Sequence, residues 1–508
     1  MRTKYIMAPL FILFTFAVLS LGPARVWSNV QQAYNKWMIL TMILDKIQRF
    51  YVEEKDPDTL LKHAIDGMLS GLDPHSQYIP SEQVRDYAVK YEGYFGVGLN
   101  YSIVDRKYMV TSLVRNGPAV NAGVKIGDRI QRIDGRSVSE MSPEQAERIL
   151  SGNTEALVVL DLLRPPLNEP LHFELAKRRI DLPSVESAFM LNADVGCIQI
   201  SHFSASTATE ADRAFNELLA LGMTRLVLDL RNNGGGALEA GVAVADRLIP
   251  PGKLIVFTRG RAPQSSEQFI SSAAKTWPML PLIVLVNEKT ASDAEIVAGA
   301  VQDWDRGIVV GRKTYGKALV QTEYPFQDGS RLLLTTARYY TPLGRMIQIG
   351  SDKTNQEPKT FRTAKGRLLT GGGGIRPDFE IKKNGKPAPA IIRKLYGDTD
   401  NYFYQFADET VNLQREALPA SLSDFLTGFA VTDDLWRRFV EMTVVGAQGK
   451  ITRSEIEQNR AEVATELKIA LAWRLWGDEG RDAASAFADD EIQKSLTFLP
   501  DAAALLAN

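Results

Sequence analysis

Three short runs, Val195 to Ile200, Leu226 to Leu230 and Leu282 to Val286, are dominated by apolar residues, and helical stretches separate them. A strand buried on both faces reads as such a run, whereas a strand with one wet face alternates. Residues from Ile180 to about Lys383 are therefore predicted to build an α/β core with buried parallel strands. The flanking texture differs. From Val30 to about Lys90 the pattern is helical: Asp56 can cap a helix with Pro57 at its first position, and Leu60, Leu61, Ala64, Ile65, Met68 and Leu69 make one apolar stripe before Gly71. From about Tyr91 to Arg178, short β-branched runs are split by glycines, with one helix announced by Ser142-Pro143-Glu144-Gln145. Beyond Lys383 a Pro/Gly/Lys linker leads into helices. There Thr452 and Glu455 form a capping-box pattern, and Ile456, Val463, Leu467, Ala470 and Leu471 share a face that Gly477 is expected to end.

At 508 residues the chain exceeds one hydrophobic core, and these textures divide it into a multidomain α/β protein. The expected parts are 1–28, 29–90, a β-rich module at 91–178, the α/β core at 179–385 and a helical region at 386–508. Arg2 and Lys4 precede an apolar stretch from Ile6 to Gly22, followed by Ala24 and Ser28. That order is the one found in a secretory signal, so residues 1–28 predict export, either cleaved or retained as an anchor. The single cysteine, Cys197, lies in a strand-like run, where a buried thiol is the expected reading; no intrachain disulfide can form. A cysteine-poor exported chain of this size suits a bacterial envelope, in the periplasm or on the outer face of the cytoplasmic membrane. Lysine plus arginine (59) and aspartate plus glutamate (61) nearly cancel, which argues against nucleic acid as a partner.

Chemistry can be approached by elimination. The four histidines, His63, His75, His172 and His202, show no paired metal-ligand spacing, so no metal is expected, and there is no G-x-S-x-G elbow. The most informative segment runs from Pro281 through Ser292 to Ala300: a buried strand, a short loop, then a helix starting at Ser292. Ser292 and Glu295 match a capping box, which by itself explains both. A serine at that place can also present its hydroxyl at the carboxyl edge of the sheet, with the Asp293 N–H and the helix dipole near a developing oxyanion. A base for it is available in Lys317, which on an extended chain shares a face with Gln321. Such a lysine must be neutral, its pKa moved from about 10.4 toward 7 or 8 at a cost of ~4 kcal/mol, by burial among groups such as Ala318, Leu319 and Val320. A third segment, Leu226 to Gly236, ends a buried strand in glycines. Its spacing is neither G-x-G-x-x-G nor a P-loop, so glycine amides beside the nucleophile fit better than a nucleotide.

Taken together, these blocks resemble the tail-specific, carboxyl-terminal processing serine proteases. Leu72 to Ser76, Phe95 to Leu99, Gly127 to Gly135, Asp229 to Gly236, Ala291-Ser292, Gly316 to Gln321, Tyr339 to Gly344 and Gly371 to Asp378 stand in family order. The resemblance implies a crotonase-like protease core preceded by a PDZ domain, a catalytic dyad of Ser292 and Lys317 oriented by Gln321, and an oxyanion hole from Gly235 and Asp293. It also implies that Phe95, Gly96, Val97, Gly98 and Leu99 supply backbone N–H groups to a substrate's terminal carboxylate. No cofactor is implied. Two residues depart from the family pattern: Asp293 stands where serine and alanine are usual, and Ala318 replaces a glycine.

The expected function is an envelope endopeptidase acting on protein substrates with free C-termini, with an adaptor and self-association through the helical regions as further partners. A catalytically silent PDZ scaffold is the alternative that Asp293 and Ala318 keep open. A crotonase-type acyl-CoA enzyme is opposed by the export signal and the PDZ pattern.

Overall fold

The computed structural model describes residues 23–84, 87, 93–152, 155–272, 277–350, 359–382, 388–397 and 400–507. The apolar stretch Ile6 to Gly22 lies outside them. No helix among the described residues is long and apolar enough to cross a membrane. The chain divides into two compact units, one formed by the N-terminal stretch to Glu82 with Gln321–Thr335, the other by Gln83–Val320 with Thr336–Asn508.

The first unit holds a helix at Pro23–Phe50 and a second at Pro57–Leu69, whose Asp56 cap accepts the Thr59 N–H at 2.9 Å. None of the residues of that second helix is buried, with Leu61 and Met68 at 44% and 62% exposure. The apolar stripe thus marks a helix that is only half covered, with Leu60, Ala64, Ile65 and Leu69 half-buried. A strand at Gln77–Ile79 pairs antiparallel with residues 331–333.

The second unit is centred on a six-stranded sheet: β1 (Val185–Met190), β2 (Val195–Ile200), β3 (Arg225–Asp229), β4 (Leu282–Val286), β5 (Ile308–Gly311) and β6 (Phe379–Glu380), hydrogen-bonded in that order. β1 runs antiparallel to β2 and the rest are parallel. Helices α1 (Thr207–Ala220), α2 (Leu238–Leu248) and α3 (Asp293–Asp303) cover one face, where Ile198, Leu226, Leu228, Val284 and Val309 point. The other face carries Cys197, Val227, Ile283, Leu285 and Val310, and these pack into one cluster with Phe403, Phe439, Leu467 and Leu471 of the C-terminal helices. Residues beyond 388 are therefore the second cover of the sheet, which is why Leu226 to Leu228 of β3 and all of β4 are apolar on both faces.

Two C-terminal helices matter most here, α4 (Tyr402–Gln414) and α5 (Arg460–Phe487). Gly477 does not end α5 as expected. It takes φ 69° and ψ −152°, which L-side chains resist, so the helix kinks and resumes to Phe487. The β-rich module forms its own antiparallel sheet around Val110, Ile130, Ile133 and Leu160, with the predicted capping box of Ser142 and Gln145 opening its helix Pro143–Leu150. It is tied to the C-terminal helices through buried Asp408, which accepts from Arg129 at 3.0 Å and from Arg474 at 2.7 Å.

Phe439 is fully buried between the rings of Phe403, Phe406 and Trp436 under the sheet. Phe439→Ala should cost about 3–5 kcal/mol of unfolding free energy. Urea unfolding followed by tryptophan fluorescence measures it, and a loss below about 1 kcal/mol would mean that the C-terminal helices do not share the core.

Candidate active site

β4 is buried at every position, and it delivers the chain into the turn Asn287–Ala291. That turn is stitched to the glycine loop after β3: the Thr290 hydroxyl donates to the Leu230 carbonyl at 2.8 Å, Asn232 and Asn287 exchange two bonds of 3.0 Å, and the Ala291 N–H reaches the Asn233 carbonyl at 2.8 Å. The turn ends at Ser292, which holds φ 57° and ψ −119° before α3 begins. A non-glycine residue there costs about 1–3 kcal/mol and persists only where its surroundings enforce it. From Thr290 to Asp303 every residue is buried except Ser292.

Ser292 and Glu295 do form the capping box. The Glu295 carboxylate, 0% exposed, does more than cap. Its Oε2 accepts the Ser292 N–H at 3.0 Å and the Lys317 N–H at 2.9 Å, while its Oε1 accepts the Thr314 hydroxyl at 2.5 Å and the Gly316 N–H at 2.8 Å. Two residues 25 positions apart thus present their amides to one oxygen atom. On the carbonyl side, the buried Tyr339 hydroxyl donates to the Lys317 carbonyl at 2.6 Å and stands 3.0 Å from that of Ser292. Burial pushes the Glu295 carboxyl up to about 7 against the four bonds that favour its anion, and holds the Tyr339 phenol protonated as a donor.

Gly235 lies against Ser292: at φ 95°, a Cβ there would stand 2.6 Å from the Ser292 Cβ. Its N–H, expected to face an oxyanion, is instead donated to Asn233 Oδ1 at 2.8 Å, because the asparagine side chain closes the left-handed turn. The next amide, that of Gly236, is donated to Asp293 Oδ2 at 2.6 Å. The Asp293 side chain has therefore turned inward. Burial raises its carboxyl to about 6, opposed by the Gly236 bond and by the positive charge of Lys317.

Lys317 itself is half-buried. Gln321 belongs to the first unit, where its side-chain nitrogen donates to Thr335 Oγ1 at 3.2 Å. In the β-rich module the loop at Phe95–Leu99 is not an open row of N–H groups. Phe95 and Gly96 are paired in a strand with residues 178–180 and 151–152, and the Val97 N–H is donated to the Leu150 carbonyl at 3.1 Å. Cys197 is buried and unoxidised, and burial pushes its thiol well up. His63 is exposed on its helix, His75 is half-buried, His172 meets Asp161 at 2.9 Å, and His202 is half-buried two residues beyond β2. No group of side chains among the described residues could hold a metal ion.

Two residues of this site escaped sequence reasoning. Glu295 was accounted for by its capping role, and Tyr339 stood within a family block without a function. Only the tertiary contacts give either one its partners.

Residues 194–354 match peptidase family S41 and residues 109–164 match the PDZ domain. The chain is 33% identical over 326 residues to a carboxy-terminal-processing protease of Bartonella bacilliformis, an alignment covering 63% of this chain and 74% of that one. It is also 33% identical over 337 residues to a probable CtpA-like serine protease of Staphylococcus aureus, covering 65% and 66%. Among solved structures, the photosystem II D1 C-terminal processing protease is 28% identical, with 70% of this chain and 91% of that chain covered and a TM-score of 0.38.

Glu295→Gln tests the clamp, because an amide nitrogen must then face either the two amides at Oε2 or the donors at Oε1. One buried donor pair left facing another costs about 1–3 kcal/mol. The variant should lose more than tenfold in kcat/KM, whatever activity is assayed, together with a lowered urea midpoint. Parental activity with parental stability would show that the carboxylate is not what aligns the two segments.

Proposed function

The chain belongs to peptidase family S41, as a serine peptidase of the carboxy-terminal-processing kind, and from that premise we propose that Ser292 is its nucleophile and Lys317 its general base. The observation that carries the reading is the shared Glu295 oxygen, which holds the amides of both residues, with Ser292 the one accessible residue in a buried run. In this mechanism the neutral Lys317 amine takes the Ser292 proton as Oγ attacks the scissile carbonyl. The Asp293 N–H, at the positive end of α3, receives the oxyanion. Lys317 then protonates the departing amine, and water repeats the sequence on the acyl-enzyme. A role for Gln321 in orienting the amine rests on the resemblance alone. No step calls for a cofactor.

The Gly235 and Gly236 amides are engaged by Asn233 and Asp293, which favours a resting loop that substrate must rearrange, and is also what a silent peptide-binding scaffold would keep. Cleavage of an unfolded protein that Ser292→Ala abolishes separates the two readings. Substrate would be captured by its C-terminus on the PDZ domain that residues 109–164 match, and the charged segment before Ile6 to Gly22 supports action in the envelope. If the carboxylate is read, amidating a peptide's C-terminus should weaken its binding to the full chain about ten- to a hundredfold. Equal binding of acid and amide in a fluorescence titration would remove the capture step.

Ser292→Ala and Lys317→Ala should each abolish cleavage and the double variant should be no worse, while Lys317→Arg should be inactive because a guanidinium does not release its proton. The pH profile gives a sharper check. Asp293 titrates near 6, so above that pH it is an anion whose charge interacts with Lys317 and favours the ammonium form of the base. Asp293→Asn removes that charge, so the acid limb of kcat/KM should move to lower pH by up to about 1 unit. An unmoved limb between pH 5 and 10 would mean that Lys317 is not the titrating base.

A further inference from the structure

The Gly371 to Asp378 block is left without a role by the dyad, yet it holds a stretch of chain, Met346 to Ile349, against the segment that carries Lys317. All of these residues belong to the second unit. Gly372 and Gly374 donate their N–H groups to the Met346 and Ile347 carbonyls, each at 2.7 Å, and the Ile349 N–H is donated to the Gly316 carbonyl at 2.8 Å. Thr314 and Ile375 continue the seam: the Thr314 N–H goes to the Ile375 carbonyl at 3.0 Å and the Ile375 N–H to Thr314 Oγ1 at 2.6 Å. Backbone meets backbone here without side chains between. At Gly316, whose φ is 89°, a Cβ would stand 2.8 Å from the Gly374 nitrogen and 2.9 Å from the Ile347 carbonyl oxygen.

From this stretch Gln348 reaches the main chain of the base. Its Oε1 accepts the Ala318 N–H at 2.7 Å. A main-chain N–H can only donate, so the carboxamide must turn its oxygen to Ala318 and its nitrogen toward the Ile349 carbonyl, 3.4 Å away. Ala318 is fully buried, so this acceptor is the one its N–H has in place of bulk water. The bond completes a frame around the Lys317 Cα. The peptide unit entering it is held at both ends, its C=O by the Ile349 N–H and its N–H by Glu295. The peptide unit leaving it is also held at both ends, its C=O by the Tyr339 hydroxyl and its N–H by Gln348.

Resting on the dyad proposed above, we propose that Gln348 is a positioning residue for the base, which fixes the direction in which the Lys317 side chain leaves the backbone by holding the N–H end of the Lys317–Ala318 peptide. The two peptide planes that flank a Cα set the direction of its Cα–Cβ bond. The amine stands at the end of a long flexible stem, so a small rotation of one plane is magnified at Nζ. A misplacement of about 1 Å can cost on the order of a hundredfold in rate.

The test is kcat and KM of the full chain on a denatured, fluorescently labelled protein, with kcat read at its alkaline plateau, where the base is neutral. Gln348→Met keeps the length of the side chain and removes the acceptor. It should lower kcat about tenfold or more while KM changes by less than about twofold. Gln348→Glu keeps an oxygen for the Ala318 N–H and should recover kcat to within about threefold of the parent. Gln348→Ala, which only vacates a half-buried position, serves where methionine does not pack, and urea midpoints establish that the compared variants are folded. Parental kcat in Gln348→Met, an equal loss in Gln348→Glu, or a loss carried by KM overturns the proposal, while the dyad still stands on the inactivity of Ser292→Ala and Lys317→Ala. Cleavage by Lys317→Ala or by Lys317→Arg would instead overturn the dyad reading and the positioning role with it.

Discussion

The Glu295 carboxylate is the interaction on which the site depends. Three amides and a hydroxyl from two separate stretches of chain, at Ser292 and at Thr314 to Lys317, find their acceptor in its two oxygens. Buried amides without partners are costly, so the two stretches are held in one arrangement by the need to satisfy them. The first turn of α3 helps, because a helix N-terminus favours a negative charge. Tyr339 repeats the constraint from the carbonyl side. The positive φ of Ser292 is a consequence: the backbone is kept in a costly conformation by bonds on both sides of it.

Around this clamp the central sheet is buried twice. α1, α2 and α3 cover one face, and the C-terminal helices cover the other. The second cover also reaches the site by charge. Arg231, two residues beyond the last residue of β3, pairs with Asp229 at 2.7 Å, with Asp489 at 2.9 Å and with Glu491 at 3.1 Å, and Glu491 also takes Arg312 at 2.5 Å. The start of the glycine loop is thereby tied to the helix Asp490–Ser495, whose N-cap is Asp489 itself. A partner removed from such a nearly buried set leaves an uncompensated charge, which costs more than the pair contributes.

Several local expectations hold because their causes are local. The Asp56 cap, the Ser142/Gln145 box and the Thr452/Glu455 box each need only the three or four residues they involve, and each forms. At other places a distant group takes up a backbone group on which the expectation relied, or carries an element further than expected. Gly235 has the backbone freedom expected of it, but Asn233 takes its N–H. The glycines of Phe95 to Leu99 do make a turn, yet a strand and the Leu150 carbonyl use the amides of Phe95, Gly96 and Val97. Gly477 breaks the helix direction without ending the helix, because buried contacts resume on its far side.

The sequence by itself determined the class of core, the two-sided burial of β2, β3 and β4, the strand-turn-helix around Ser292 and the family, since each is written in short runs, in the spacing of apolar and capping residues, or in ordered motifs. Only the tertiary structure decided that Ser292 and Lys317 answer to one carboxylate, that Asp293 turns inward to the glycine loop, and that the helices beyond residue 388 belong to the core. Those outcomes depend on which buried donor finds which acceptor across tens to hundreds of residues. A hydrogen bond of that kind leaves no period in the sequence, because its two ends are brought together by the packing of everything between them.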